Sequence, residues 1–345
     1  MKLKKVVSML LAFALLISVF TGCKAQTEQA SEEQSSKKIR VGLSLPTQRE
    51  ERWVKDKETM EKVAKEKGIE LIVKVADANM NEQITQVESL LSQDIDVLIL
   101  APHDASAAAS LVEKAKKEGV AVIAYDRLIT NTDKLDLYLT FDSIRVGEMQ
   151  GEYLTKLVPE GNYIILAGAP TDHCATLYKK GAMNVIQPLI DKGKIKVIAE
   201  QAVENWLPEN ALKIVEAALA ANNNEVDAIL APNDGTAGAA IQALSAQGLA
   251  GKVPITGQDA EKAAAKRILE GTQSMTIFND TRELGKAAVE AAIKLAKGEK
   301  PVVNGETDNG TISVPSILVD AKVVDKNNLQ EVLVDSGYIS ADDLK

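Results

Sequence analysis

Histidine and cysteine are scarce in this chain, at two residues each in 345 positions. Neither His103 nor His173 has a nucleophile at a recognised spacing, and Gly-rich phosphate loops and GxSxG elbows are absent. The sequence therefore assigns no catalytic residue, no metal ligand and no cofactor. Grouped Lys and Arg are missing from the body of the chain, whose net charge is −9. Phosphate neutralisation needs such groups, so nucleic acid is not an expected partner. Aromatic residues amount to only 3%, which singles out the two tryptophans, Trp53 and Trp206. The apolar run from Val6 to Phe20 is too short to span a bilayer comfortably.

That run follows Lys2, Lys4 and Lys5, which marks residues 1–22 as a targeting segment. It ends in Thr21-Gly22-Cys23, which resembles a bacterial lipobox with Phe20 where Leu is usual. Cys23 would then be lipidated and become the first mature residue. The plainer alternative is an ordinary signal peptide with a chance cysteine. An acylated Cys23 leaves Cys174 without a disulfide partner, so the exported fold must stand on its core. Residues 23–38 are polar and read as a flexible tether, with the folded part starting near Ile39. A lipid and a leash describe a protein held on the extracytoplasmic face of a membrane.

The body, 46% hydrophobic overall, can bury two cores of ordinary size. One unit is written twice. Asp96 to Pro102 is an apolar run ending in His103-Asp104, followed by a helix pattern from Ala105 to Glu118 and a second run, Val120 to Tyr125, ending in Asp126-Arg127. Asp227 to Pro232 repeats the first run and ends in Asn233-Asp234. A helix pattern from Gly235 to Gln247 and a run from Lys252 to Gly257 ending in Gln258-Asp259 complete the copy. Short apolar runs alternating with helices indicate parallel strands covered on both faces. Two copies of such a unit imply two α/β lobes. Ligands in these sheets sit beyond the carboxyl ends of the strands, so Asp126, Arg127, Asn233, Asp234 and Asp259 stand where a ligand would be. Further strands are expected at 39–45, 69–75, 135–141, 162–168, 195–199, 274–278 and 312–319, and a short helix around Leu329. The pattern restarts near 142, 280 and 308.

Each candidate has a bland alternative. Asp77, Asn79, Asn81 and Glu88 have calcium-loop spacing, but Glu82 stands where the loop needs Gly, and Asn79 with Glu82 has capping-box spacing; capping is the better reading. The tryptophans suit the C–H face of a sugar ring but would serve equally as packing residues. The strand-end carboxylates, amide and guanidinium suit hydroxyl groups, which both donate and accept. The same residues also suit helix N-caps, Asp234 above all.

Arg52-Trp53, Ala124 to Arg127, Asn205 to Asn210, Asn233-Asp234, Ile241 to Gly248 and Gly257 to Asp259 together resemble the xylose branch of the type I periplasmic sugar-binding family of bacterial ABC transporters. The resemblance runs from about Ile39 to the C-terminus. It implies an α/β fold of two Rossmann-like lobes with parallel sheets, joined by a three-segment hinge and closing on one sugar, with the chain crossing at the restarts so that the lobes are 39–141 plus 280–307 and 142–279 plus 308–345. Sugar contacts then fall on Arg52, Asp126, Arg127, Asn233 and Asp259, with Trp53 and Trp206 stacking from opposite lobes. Two positions depart from the branch: His173-Cys174 replaces an Asn pair, and Asn279 replaces a Lys. A bridging water or a changed sugar preference would account for either. The implied protein is a monomeric, lipid-anchored receptor that hands D-xylose to an ABC transporter permease. The alternatives are another sugar (ribose, arabinose, galactose or glucose) or a chemoreceptor or autoinducer carrier. A sugar-responsive repressor would need a DNA-binding N-terminus in place of the targeting segment, and an enzyme would show product after incubation with sugar.

Overall fold

The computed structural model describes residues 38–345. The 1–22 leader, Cys23 and all but the last residue of the tether lie outside the described residues. The chain runs β1 (Arg40–Leu45), α1 (Glu51–Lys67), β2 (Glu70–Val75), α2 (Met80–Leu91), β3 (Val97–Leu100), α3 (Ala109–Lys117), β4 (Ala121–Tyr125) and β5 (Leu137–Phe141). It continues through α4 (Ser143–Leu157), β6 (Gly161–Ala167), α5 (His173–Asp191), β7 (Ile195–Ala202), α6 (Pro208–Ala221), β8 (Ala228–Leu230), α7 (Asp234–Ala246), α8 (Lys262–Glu270) and β9 (Thr276–Asn279). Last come α9 (Thr281–Ala296), β10 (Gly305–Asp308), β11 (Ser313–Val319) and β12 (Ala321–Val324).

The first sheet has the order β10-β11-β5-β4-β3-β1-β2 and is parallel apart from the β10–β11 pair. β3 and β5 are buried along their whole length, as strands covered on both faces must be. The second sheet has β7-β6-β8 in parallel. A parallel bridge from Ile229 to Ile255 and another from Gln258 to Ile277 continue it to β9, which pairs with β12. Both sheets therefore share one doubly wound order, and the sequence repeat maps β3 and β4 onto β8 and the 255–258 segment. The expected strand at 252–257 exists only as these bridges. Helix α3 starts later than expected because the Asp104 carboxylate holds the amides of Ser106 and Ala107 in a turn, at 2.9 and 2.8 Å. The terminal helix is a π-helical turn, Gln330–Asp335.

The chain passes between sheets after β5, after β9 and after β11. The first two passages fall where the pattern restarts. The third does not: β11 pairs with β5 in the first sheet, so residues up to Val319 stay there, whereas the sequence reading moved the chain across at 308. Sequence pattern carries no strand order, and β11 is joined to its neighbour only by tertiary pairing. Helices α4 and α5 pack closely because glycine lies at the crossing. A Cβ on Gly147 would come within 1.9 Å of the Tyr178 carbonyl oxygen, and one on Gly181 within 2.0 Å of that of Ile144. This contact sets the start of α5 beside the ends of β4 and β5.

Candidate ligand-binding site

The two sheets point their carboxyl ends at one shared cavity. Arg52, Trp53, Asp126, Arg127, Trp206, Asn233 and Asp259, all expected from sequence, line it together with Glu50, Asp172, Tyr178 and Gln258. His173, Cys174 and Asn279 do not line it. His173 is half-buried in the first turn of α5. Cys174 lies behind the cavity, and Asn279 is 1% exposed at the end of β9 with neither amide atom hydrogen-bonded.

Repeat-related aspartates occupy equivalent places. Asp126 follows β4 with φ +60° and donates its amide to Leu139 O at 2.7 Å. Asp259 follows the 255–258 segment with φ +96° and donates its amide to Ile277 O at 2.9 Å. Each backbone is held in an uncommon conformation by the neighbouring strand, which aims the carboxylate out of the sheet. The Asp126 carbonyl is further clamped by the hydroxyls of Tyr138 and Thr140, both at 2.8 Å, and by the Cys174 thiol at 3.2 Å. Cys174 thus reaches the far side of a cavity residue without entering the cavity. Burial pushes its thiol up to about 12.

Arg52 Nη1 lies 2.6 Å from Asp126 Oδ1, and Arg52 also donates to Asp56 at 3.0 and 3.2 Å. Burial works against the guanidinium charge, but Asp126 and Asp56 outweigh it and hold the pKa well above its usual value. Arg127 Nε pairs with Asp172 Oδ2 at 2.9 Å, and Asp172 Oδ1 caps α5 by accepting from Cys174 N. Both guanidiniums lie over the Trp53 ring, at 4.4 and 5.3 Å from its centroid. Burial raises the carboxyl pKa values of Asp172 and Asp259, opposed by Arg127 and Arg52 respectively.

Trp206 sits in a short 3-10 turn, Glu204–Trp206, with positive φ at Asn205 and Trp206. Gly168, just past β6, makes its seat: a Cβ there would lie 2.1 Å from Trp206 Cη2. The indole N–H is near enough to Asp172 to lower that pKa, yet it has no aligned acceptor. Gln258 Oε1 is likewise buried without a hydrogen-bond partner.

The caps are divided differently from the sequence expectation. Asn233, and not Asp234, caps α7: its Oδ1 accepts from Thr236 N at 3.0 Å, which leaves the amide N–H₂ for the cavity. Asp234 is fully buried and ties three segments together, accepting from Gln273, Thr276 and the Glu261 amide at 2.7 to 3.0 Å. Asn79 caps α2 through the amides of Asn81 and Glu82, as expected from its spacing. Among the described residues no cluster of His, Cys, Asp and Glu could hold a metal ion.

Bonds across the mouth show that the halves are closed on one another. Arg49 Nη2 donates to Asn205 O at 2.8 Å, Lys262 N to Glu51 Oε2 at 3.0 Å, and Ala105 N to Thr171 O at 2.9 Å.

With this geometry in view, the comparison with known proteins is direct. The periplasmic binding protein domain matches residues 41–300. This chain belongs to the periplasmic binding protein family. It is 47% identical over 303 residues to the D-xylose-binding periplasmic protein of Haemophilus influenzae, covering 88% of this chain and 91% of that one. It is 44% identical to the Escherichia coli protein of the same name, covering 88% and 92%. A carbohydrate transporter solute binding protein from Chloroflexus aurantiacus, solved in complex with D-glucose, superposes with a TM-score of 0.85 at 36% identity, covering 89% of this chain and 98% of that one. The fold is the type I periplasmic-binding fold. Membership places the chain among extracytoplasmic binding proteins and not among enzymes.

Of the cavity residues that sequence reasoning missed, Asp172 and Gln258 adjoin expected ones and were within reach. Glu50 and Tyr178 carry no sequence signal, because their burial depends on packing against segments distant in the chain.

Proposed function

We propose that the protein captures one neutral monosaccharide in this cavity, D-xylose first among the candidates, and delivers it to an ABC transporter permease. The observation that carries this reading is the convergence of two indoles, four carboxylates and two guanidiniums on one site, with buried polar atoms left unpaired on its wall. Trp53 and Trp206 would meet the ring's C–H faces, and Asp126, Asp259, Asn233 and the guanidiniums its hydroxyls. Four carboxylates face two guanidiniums along the wall, so sugar acids and phosphorylated sugars are disfavoured. The three passages between sheets would act as the hinge between two lobes, and the sugar would shift the equilibrium toward the closed form seen here. Attachment through a lipid on Cys23 belongs to the same reading.

A glucose-binding role is the second reading. It is favoured by the glucose complex of the Chloroflexus protein. Isothermal titration with D-xylose, D-ribose, L-arabinose, D-galactose and D-glucose separates the two. Tight, saturable binding of xylose supports the first; preference for glucose supports the second; no heat with any sugar would sink both.

A further inference from the structure

Glu50 lines the cavity immediately before α1 and is only 9% exposed. Its two oxygens have different fates. Oε1 accepts from Arg49 Nε and Nη2, at 2.9 and 2.7 Å. Oε2 is buried and has no hydrogen-bond partner. An unpaired buried carboxylate oxygen is costly to leave unsatisfied, and the cavity is where a donor would stand. Arg49 has a second partner across the mouth, the carbonyl of Asn205, which precedes Trp206.

We propose that Glu50 recognises the bound sugar by accepting a hydrogen bond from one of its hydroxyls, and that Arg49 positions it. This rests on the monosaccharide reading above. An ionised carboxylate only accepts, so Oε2 takes a hydroxyl and rejects a ring oxygen or a second carboxylate. Arg49 spans Glu50 and Asn205 only when the halves meet, so closure sets the carboxylate in place. A sugar lacking that hydroxyl leaves Oε2 unpaired, the situation in which polar sites discriminate most strongly. Glu50 is thus a specificity-determining residue at the start of α1.

Titration calorimetry on the full chain tests this with D-xylose, D-glucose and the singly deoxygenated derivatives of each. Glu50→Ala is expected to weaken the parent sugar by about 10- to 100-fold, the range of a hydrogen bond to a charged group. One deoxy derivative should bind wild type and variant alike. Arg49→Ala should show a smaller loss with the same pattern. Glu50→Gln keeps the side-chain shape and supplies the comparison if the alanine variant unfolds, as judged by melting. Unchanged affinity in the Glu50 variants, or equal losses on the parent and on every deoxy derivative, would overturn the role of Glu50 alone. Absence of heat with wild type and every sugar would overturn the monosaccharide reading and this inference with it.

Discussion

Gly168→Ala places one methyl group where the Trp206 indole now lies. The new Cβ would be 2.1 Å from Cη2, 2.3 Å from Cζ2 and 2.8 Å from the Ala175 Cβ. Ordinary carbon contacts are about 3.5–4.0 Å, so the ring must retreat by about 1.5 Å or more. Its backbone cannot easily follow, because Asn205 and Trp206 already sit at positive φ in a hydrogen-bonded turn. The ring therefore moves toward the cavity it lines. Overpacking of this kind costs roughly 1–3 kcal/mol of stability. Sugar affinity should fall at least about tenfold, since the stacking face is displaced into the space the sugar needs. Thermal melting and calorimetry read the two effects. The decisive control is a cycle with Trp206→Ala, in which removing the ring should lessen the cost of Gly168→Ala, the contact with the Ala175 Cβ alone remaining. Equal destabilisation in both backgrounds, or wild-type sugar affinity in Gly168→Ala, would refute the argument.

Asp56 makes a pH prediction with opposite signs for stability and binding. Burial raises its pKa from 3.8 to about 6, although Arg52 and the Tyr125 hydroxyl oppose the shift. A folded pKa above the unfolded one means its contribution to stability is full below about 4 and lost as pH rises through 6. Protonation also loosens Arg52, so affinity should weaken below pH 6 while stability does not; an Asp56→Asn variant that keeps the wild-type affinity step would sink the assignment. Cys174, 1% exposed and bonded to Asp126 across the two halves, should react slowly with a thiol reagent, and more slowly still with sugar present. Rapid labelling in saturating sugar would contradict the closed geometry. Because both tryptophans line the cavity, sugar should change intrinsic fluorescence, and Trp206→Phe should remove part of that change. An unaltered signal would place the effect elsewhere. Gly147→Ala should cost at least about 1–3 kcal/mol by denaturant melting, since its Cβ would strike the backbone of α5; a neutral result would mean the helices can part freely.

Local order was determined by sequence alone. Apolar runs of four to seven residues bounded by turn signals, such as 97–100 and 137–141, are too short for helices and read as strands buried on both faces, and caps such as Asn79 need no partner beyond the next turn. The repeat of Asp126 and Asp259 at strand ends was legible for the same reason, because position after a parallel strand decides where a side chain stands. Pairing between distant segments was not legible. Whether β11 joins β5 or crosses to the other sheet depends on which edge is free, and nothing within 313–319 encodes that. Cys174 and Asn279 could be named as departures, but their places behind the wall followed only from the packing of α5 and β9. Glu50 shows the limit most plainly. In sequence it is one acidic residue among several beside Arg49, and it becomes a buried, half-satisfied carboxylate only through packing against segments distant in the chain, since burial belongs to the assembled fold and not to any one segment.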